Sequence, residues 1–524
     1  MNRSVVRRRR SAIAFSLLAL AATSRLLLQI AAMPPYAGLD ELYHVARLSF
    51  VAEEGHNPSN QQPSIPQYLQ HTLDDDPAGL PDFGTLGVRW PDRVRSGRTV
   101  LNDVPVTTAN MQPYSAPNYE AQQPDLYYLI AAPLVRALPR RTAISELQIW
   151  RLLSVLLAIM TVLCSGLIGY RFFGVSGVLA AALLVSFPTW LTLVVRSSND
   201  ALCCAAIALG AAVTLSKPRS PAGIFLEALA WSAGVATKLY SWPILVLLPL
   251  AWWNYRASRA RMAFVSACIS VSVLLTIGDL AGRTSNALGL FAFDPVATSN
   301  PAAVTINFVQ MAKIWTATAI WTSGQHWNAL TGRAMITYAL PVMALILFGV
   351  AALWRRQRIL AVIAAAVVVA FALAQSLNAA AFILKAHRLG LSLPAGGKEG
   401  WYWYALAPVL ILIPAAAFRE LRGRPLLLIF FCIWITGWDV IIAERGLFRD
   451  YAGLTSAKQH SMLFRWGPTP QDRALPPTAI GPFRGERVTL RIVHLACVAL
   501  LIALTLRVRE TELASAGDQS SPAS

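Results

Sequence analysis

An all-α integral membrane protein with about twelve (11–13) transmembrane helices and a large first extracytoplasmic loop is the architecture that this sequence predicts. Three observations predict it. First, 55% of the 524 residues are apolar and only 14% are charged, whereas soluble domains carry about a quarter charged residues. Second, apolar runs long enough to cross a bilayer recur along the chain. Third, the net charge of +18, from 45 Lys and Arg against 27 Asp and Glu, is gathered in short clusters between those runs rather than on a polar domain. Intrinsic disorder is excluded, because it needs low hydrophobicity. A nucleic-acid-binding domain and an ordinary cytosolic enzyme are disfavoured. The six cysteines (Cys164, Cys203, Cys204, Cys268, Cys432 and Cys497) lie inside apolar runs, where they have neither disulfide context nor metal-ligand spacing.

A bilayer core of about 30 Å is crossed by about 20 helical residues. Runs of this kind fall near 11–33, 145–170, 175–195, 201–216, 221–237, 239–254, 262–281, 334–353, 359–377, 401–417, 425–443 and 488–506. The segment 124–138 is short for a span, carries Pro133 in its middle and runs into Arg136, Arg140 and Arg141. Short cytoplasmic loops collect Lys and Arg. If 124–138 is an interfacial or re-entrant helix on the outer surface, every tight basic cluster falls inside. These clusters are Arg3 with Arg7–Arg10, Arg171, Lys217/Arg219, Arg256/Arg259/Arg261, Arg355/Arg356/Arg358, Arg419/Arg422/Arg424 and Arg507/Arg509. If it spans, the clusters from residue 171 onward move outside, so we take the first reading, with both termini cytoplasmic. The N-terminus has the look of a signal peptide, but its apolar run is long and Ala31-Ala32-Met33-Pro34 is a poor cleavage site, so an uncleaved first span is expected.

The expected organisation is a basic N-terminus with the first span (1–33), a large outer loop with juxtamembrane helices (34–144) and a six-span bundle (145–281). A second outer loop (282–333), a four-span bundle (334–443), a third outer loop (444–487), the last span (488–506) and a polar, disordered cytoplasmic tail (507–524) complete it. Six of the seven histidines, His44, His56, His71, His326, His387 and His460, fall on outer segments, so function is expected to face outward.

The first loop opens Pro34-Pro35-Tyr36-Ala37-Gly38-Leu39-Asp40-Glu41-Leu42-Tyr43-His44. The prolines end the first helix, and a new one is expected to begin around Asp40. At helical spacing Asp40 and His44 share a face, with Glu41 three residues before His44. A carboxylate held there suits general-base chemistry on an attacking hydroxyl, which is worth about a hundred- to ten-thousand-fold. A surface helix capped by Asp40, with His44 as its partner, explains the same spacing without function. A paired metal centre is disfavoured because the Glu-x-x-His pattern has no second copy, and a single divalent cation stays open.

Asp40-Glu41-Leu42-Tyr43-His44 resembles the DE-x-x-H signature of a family of bacterial integral membrane proteins similar to GT-C glycosyltransferases, which include protein mannosyltransferases and lipid A aminoarabinose transferases. Further stretches match in order. Asn118-Tyr119-Glu120-Ala121-Gln122-Gln123-Pro124-Asp125-Leu126-Tyr127-Tyr128 resembles the Tyr-Glu-Ala-His-Gln-Pro-Pro-Leu-Tyr-Tyr stretch that closes that family's first loop. Ser198-Asn199-Asp200-Ala201-Leu202 is similar to its Asn-Asp at the start of a later span, and Thr237-Lys238-Leu239 to a lysine at another outer end. Glu399-Gly400-Trp401-Tyr402 stands where Gly-Arg-Tyr is common. The matches cover most of residues 1–420 and are specific as an ordered set, not singly. Gln122 replaces the family's His, Asp125 its second Pro and Trp401 its Arg, departures that bear on substrate choice and activity.

The resemblance implies a GT-C-like fold that transfers a sugar, with inversion, from a polyprenyl-phosphate donor to an acceptor hydroxyl of a glycan, lipid or protein on the outer face of the cytoplasmic membrane. It implies Asp40 as general base, with Glu41 second choice and His44 beside them. Glu120, Gln123, Tyr127, Asn199, Asp200, Lys238, Lys385, Arg388 and Tyr402 would contact substrate. The partners would be the bilayer, the donor lipid and an unidentified acceptor, with no nucleic acid and no required cofactor. A lipid phosphate leaves well but needs cations to stabilise its charge. Outer-side candidates are Lys238, Lys385, His387, Arg388, Lys398, Arg445 and Arg449, and Lys238, between two closely spaced spans, is foremost. Each has the plain alternative of a solvated loop charge or a headgroup contact, and Asn199 and Asp200 that of helix capping.

Arg25, Glu227, Asp279, Asp439 and His494 lie inside expected spans, where an ionisable side chain costs about 2.5–3.5 kcal/mol and marks function unless paired within the bundle. They motivate a second reading, a transporter or flippase of lipid-linked sugars. The lack of a visible repeat and the gathering of polar sequence in one early loop disfavour it. A non-catalytic protein of the same fold is a third, supported by Gln122 and Trp401. Trp315, Trp321 and Trp327 read as interfacial anchors.

Overall fold

The computed structural model describes residues 3–32, 41–59, 63–69, 104–107, 109–110, 113–283, 332–388, 400–440 and 486–517. Asp40, the tryptophan anchors at 315–327, Lys398, Arg445, Arg449, His71, His326 and His460 lie outside them.

The chain is a multi-pass helical membrane protein. Six helices are long and apolar enough to cross: Arg8–Ala31 within α1 (Arg3–Ala32), Ala143–Phe173 (α4), Arg259–Gly282 within α10 (Arg259–Arg283), Ile336–Arg356 within α11 (Gly332–Arg356), Arg358–Leu377 within α12 (Arg358–Arg388) and Arg487–Arg507 within α16 (Arg487–Gly517). Two bent pairs bring the count to eight. Val175–Leu184 (α5) meets Pro188–Val195 (α6) at 71°, and the segment ending in Ala407–Leu410 (α13) meets Leu412–Leu421 (α14) at 46°. Pro188 and Pro414 sit just after the two breaks, where a missing N–H interrupts the helical ladder.

Twelve crossings were expected, and eight helices or bent pairs have that length. The other four expected positions are helical but short: Asn199–Leu215 (α7), Pro221–Val235 (α8), a 3₁₀ stretch Leu239–Val246 joined to Leu247–Tyr255 (α9), and Pro425–Trp438 (α15). Hydropathy locates such segments but does not show how far helical geometry continues past their ends. Segment 124–138 is a short helix, Leu126–Ala131 (α3), continued as a 3₁₀ turn over Ala132–Ala137. The tail expected to be disordered continues α16 as helix to Gly517. In the first loop, β1 (Pro63–Pro66) pairs antiparallel with β2 (Pro113–Pro117) in a two-stranded ribbon.

α1 packs on α16 and α4, and α4 turns back into α5 through Gly174 at φ 60°. Close approach there depends on two glycines: a Cβ on Gly177 would lie 2.0 Å from the Gly169 carbonyl carbon. Two of the intramembrane acids, Asp439 and Glu227, are paired with arginines. Arg25 Nη2 and Nε donate to Asp439 at 2.6 and 2.7 Å. Glu227 accepts from Arg261 at 2.7 and 2.8 Å, from Thr214 at 2.9 Å and from the Trp252 indole at 3.3 Å. Arg261, expected as a cytoplasmic surface charge, is therefore buried as the partner of Glu227.

Candidate functional site

The first-loop helix α2 (Glu41–Glu54) starts one residue after Asp40, as the proline-terminated first span requires. It is not the surface helix of the simpler reading, because Glu41, Leu42 and every residue from His44 to Ala52 are buried. The Asn118 side chain fastens α2 to the next matched stretch. Its Nδ2 donates to the Tyr43 carbonyl at 2.7 Å, while its Oδ1 caps the 3₁₀ turn Tyr119–Gln122 through Glu120 N at 3.0 Å.

Around this junction four basic residues, Arg47, Arg151, Arg196 and Lys238, are interleaved with four acids, Glu41, Glu120, Asp125 and Asp200. Glu41 accepts from Arg151 Nε and Nη2 at 2.8 and 2.6 Å and from the Ser197 N–H at 3.0 Å. Charge-assisted donors on both oxygens make it an anchor between the first loop, α4 and the loop before α7. His44 Nδ1 stands 2.7 Å from the Tyr128 hydroxyl and 3.5 Å from Glu120 Oε2. Burial pushes the Tyr128 phenol well above its usual range, with the Glu120 charge adding to the shift, so Tyr128 keeps its proton. The imidazole nitrogen thus faces a hydroxyl and a carboxylate at once. One turn on, Arg47 lies 3.7 Å from the centre of the Tyr128 ring and donates to Asp125 at 2.5 Å and to the Glu120 and Gln123 carbonyls at 2.5 and 3.0 Å.

The third part of the cluster is centred on Asp200. It is paired with Arg196, receives Lys238 Nζ at 2.6 Å and the Tyr240 hydroxyl at 2.6 Å, and is joined by Ser198 Oγ at 3.2 Å. Lys238 also donates to Asn199 Oδ1 at 2.9 Å, and Asn199 Nδ2 donates to the Thr237 carbonyl at 3.2 Å. Helix capping does not account for Asn199 or Asp200. Ser198 is the N-cap residue of α7, while both matched residues reach sideways to 237–240.

The structure thus brings together Glu41, His44, Glu120, Tyr127, Asn199, Asp200 and Lys238, with Gln123 contributing a backbone carbonyl. Asp40 is outside the described residues. Lys385 and Arg388 fall in the last two turns of α12 and Tyr402 in the 3₁₀ segment Gly400–Leu406, with side chains outside the described set, as are those of Gln122 and Trp401. The Asp125 departure has a use of its own as the ion partner of Arg47. Arg47, Arg151, Arg196, Tyr128 and Tyr240 were not foreseen as site residues. Arg151 lies inside an expected span, and that position alone would have marked it. Among the described residues, no group of three or more His, Cys, Asp or Glu is placed to hold a metal ion.

No protein-family profile matches this chain, and no curated protein does. Among solved structures, ArnT from Cupriavidus metallidurans bound to undecaprenyl phosphate aligns with a TM-score of 0.40 and 15% identity over 88% of this chain and 75% of that one. ArnT from the same organism in the apo state aligns with a TM-score of 0.37 and 15% identity over 83% and 74%.

Proposed function

We propose that this protein is a membrane glycosyltransferase that moves a sugar from a polyprenyl-phosphate donor to an acceptor hydroxyl on the outer face of the membrane. The observation that supports the reading is the convergence of four separately matched stretches, through their residues at 41–44, 118–128, 198–202 and 237–239, on one buried ionic cluster. In this reading Asp40 takes the proton of the acceptor hydroxyl. The acceptor oxygen bonds to the anomeric carbon as the bond from that carbon to the phosphate oxygen breaks, and polyprenyl phosphate departs. A single displacement inverts the anomeric configuration. Lys238 is assigned to the phosphate charge. His44, four residues after Asp40 in sequence and held by Tyr128 and Glu120, keeps its edge of the site polar. Glu41, engaged by Arg151 and Ser197, acts as a positioning residue rather than as the base.

The test is transfer of labelled sugar from a polyprenyl-phosphate donor in membranes holding matched amounts of wild type or Asp40→Asn. A fall of about a hundred- to ten-thousand-fold is expected. Equal rates would remove Asp40 from the mechanism.

A further inference from the structure

Thr214, Glu227, Trp252 and Arg261 come from four consecutive helices, α7 to α10, and meet in one buried knot on the Glu227 carboxylate. The knot holds the α7–α8 turn beside the α9–α10 turn. Both lie at the opposite end of α7 and α8 from the motif cluster, since Asp200 opens α7 and Lys217 follows its last turn. Contact between the turns is direct: Lys217 Nζ lies 4.0 Å from the centre of the Tyr255 ring.

Both turns are basic. Lys217 and Arg219 stand on one, Arg256 and Arg259 on the other, and neither 216–220 nor 256–260 contains an acid. All four residues are exposed, and among the described residues no ion pair engages any of them. Arg171, near the end of α4, is exposed as well and acts electrostatically on the Tyr255 phenol. Trp253, two residues before Tyr255, is 88% exposed, and an outward indole at a span end sits at headgroup level.

The charge rule alone accounts for basic residues at this end, but it does not account for their backbone. Lys217 and Arg256 hold left-handed conformations, φ 57° and 51°, at the ends of α7 and α9, where glycine is the favoured residue. A cation there complements the negative end of the helix dipole, yet one placed in the last helical turn would do so without strain. What the strained placement secures is position: two cations on adjacent turns, with Tyr255 as the seat of one and Trp253 three residues from the other. Such strain persists where the surrounding structure over-determines it, and it is characteristic of ligand sites.

We propose that this corner binds an anionic phospholipid of the leaflet it faces, with the phosphate on Lys217 and Arg256, Arg219 and Arg259 at the rim, and Trp253 beside the glycerol backbone. The charge rule makes this the cytoplasmic leaflet. A cluster of cations at the membrane surface next to an exposed indole suits a phosphate carried on a lipid. The inference does not depend on the transfer reaction.

The test is native mass spectrometry and thermal melting of the full-length detergent-purified protein titrated with phosphatidylglycerol, phosphatidylcholine or glycerol phosphate. Phosphatidylglycerol should bind in preference to phosphatidylcholine and raise the melting temperature, while glycerol phosphate should do neither. The decisive variant is the double change Lys217→Gly with Arg256→Gly, because glycine takes the left-handed backbone without strain. It should fold as well as wild type and weaken phosphatidylglycerol roughly thirtyfold, the effect of two surface cations. Arg219→Gln with Arg259→Gln alters only exposed side chains and should weaken binding in the same direction, so it carries the test if the glycine variant fails to fold. Equal binding of the two phospholipids, or unchanged phosphatidylglycerol binding in both double variants, would overturn the proposal. So would stabilisation by glycerol phosphate equal to that by phosphatidylglycerol, which would give the site to a soluble phosphate.

Discussion

Two buried carboxylates, Glu227 and Glu41, each meet an arginine through two hydrogen bonds, yet their surroundings differ. Glu227 sits in a closed set: Arg261, Thr214 and Trp252 donate to it, and Trp231 completes Thr214 at 3.0 Å. Glu41 belongs to a network in which carboxylates and cations alternate with the imidazole of His44 and the phenols of Tyr128 and Tyr240. Close by, the buried Ser197 hydroxyl lacks a hydrogen-bond partner among the described residues, and the buried hydroxyls of Tyr127 and Ser154 face each other. An unmatched buried polar atom costs about 1–3 kcal/mol, a cost that a water or ligand group removes. The first arrangement can only hold helices together, whereas the second also has unused capacity to engage something else.

The largest test of that contrast compares Glu41→Gln with Glu227→Gln. Each strips the counter-charge from a buried arginine and should destabilise by about 3–5 kcal/mol in an SDS-titration unfolding assay. Transfer per folded molecule should collapse only for Glu41→Gln, and an equal collapse in Glu227→Gln would break the distinction. Next, Lys238→Met leaves Asp200 held by Arg196 and should lower the transfer rate about a hundred- to a thousand-fold, the usual loss of a charge-stabilising donor. A rate within a factor of a few of wild type would take Lys238 out of the phosphate role. Remote from both regions, Gly177→Ala drives a methyl group into Gly169 and should cost about 1–3 kcal/mol of stability while transfer per folded molecule stays unchanged. The smallest effect is reserved for Tyr128→Phe, which removes the 2.7 Å contact to His44 and should cost about 0.5–1.5 kcal/mol, read as a modest drop in melting temperature. No drop would mean that solvent replaces the phenol, and the cluster would be wetter than its burial implies.

Apolar runs located nearly all of the helical segments, because burial in lipid demands continuous hydrophobicity whatever the tertiary packing. Their lengths were not legible. Whether 201–216 and 221–237 form full crossings depends on breaks at Ser198 and beyond Val235, which hydropathy averages over. Within the site, the acidic half was visible as short motifs after span ends. The basic half was not: Arg47 and Arg151 lie in or beside apolar runs, 78 and 110 residues from their partners, while Arg196, only four residues before Asp200, ends an apolar run, and Arg261 passed for an orientation charge. Ion pairing across about a hundred residues leaves no local pattern to read.

The brevity of α8 has a consequence for the membrane itself. Fifteen residues, Pro221–Val235, at a rise of about 1.5 Å each, reach about 22 Å against a hydrocarbon thickness of about 30 Å. This helix turns Phe225 and Leu229 outward to the acyl chains, and it ends three residues before Lys238. Such hydrophobic mismatch is relieved by local thinning, which draws lipid headgroups inward beside the short helix. The depression would form next to the lysine assigned to the phosphate, so a lipid-borne phosphate could reach that depth by lateral diffusion, without a channel through the protein.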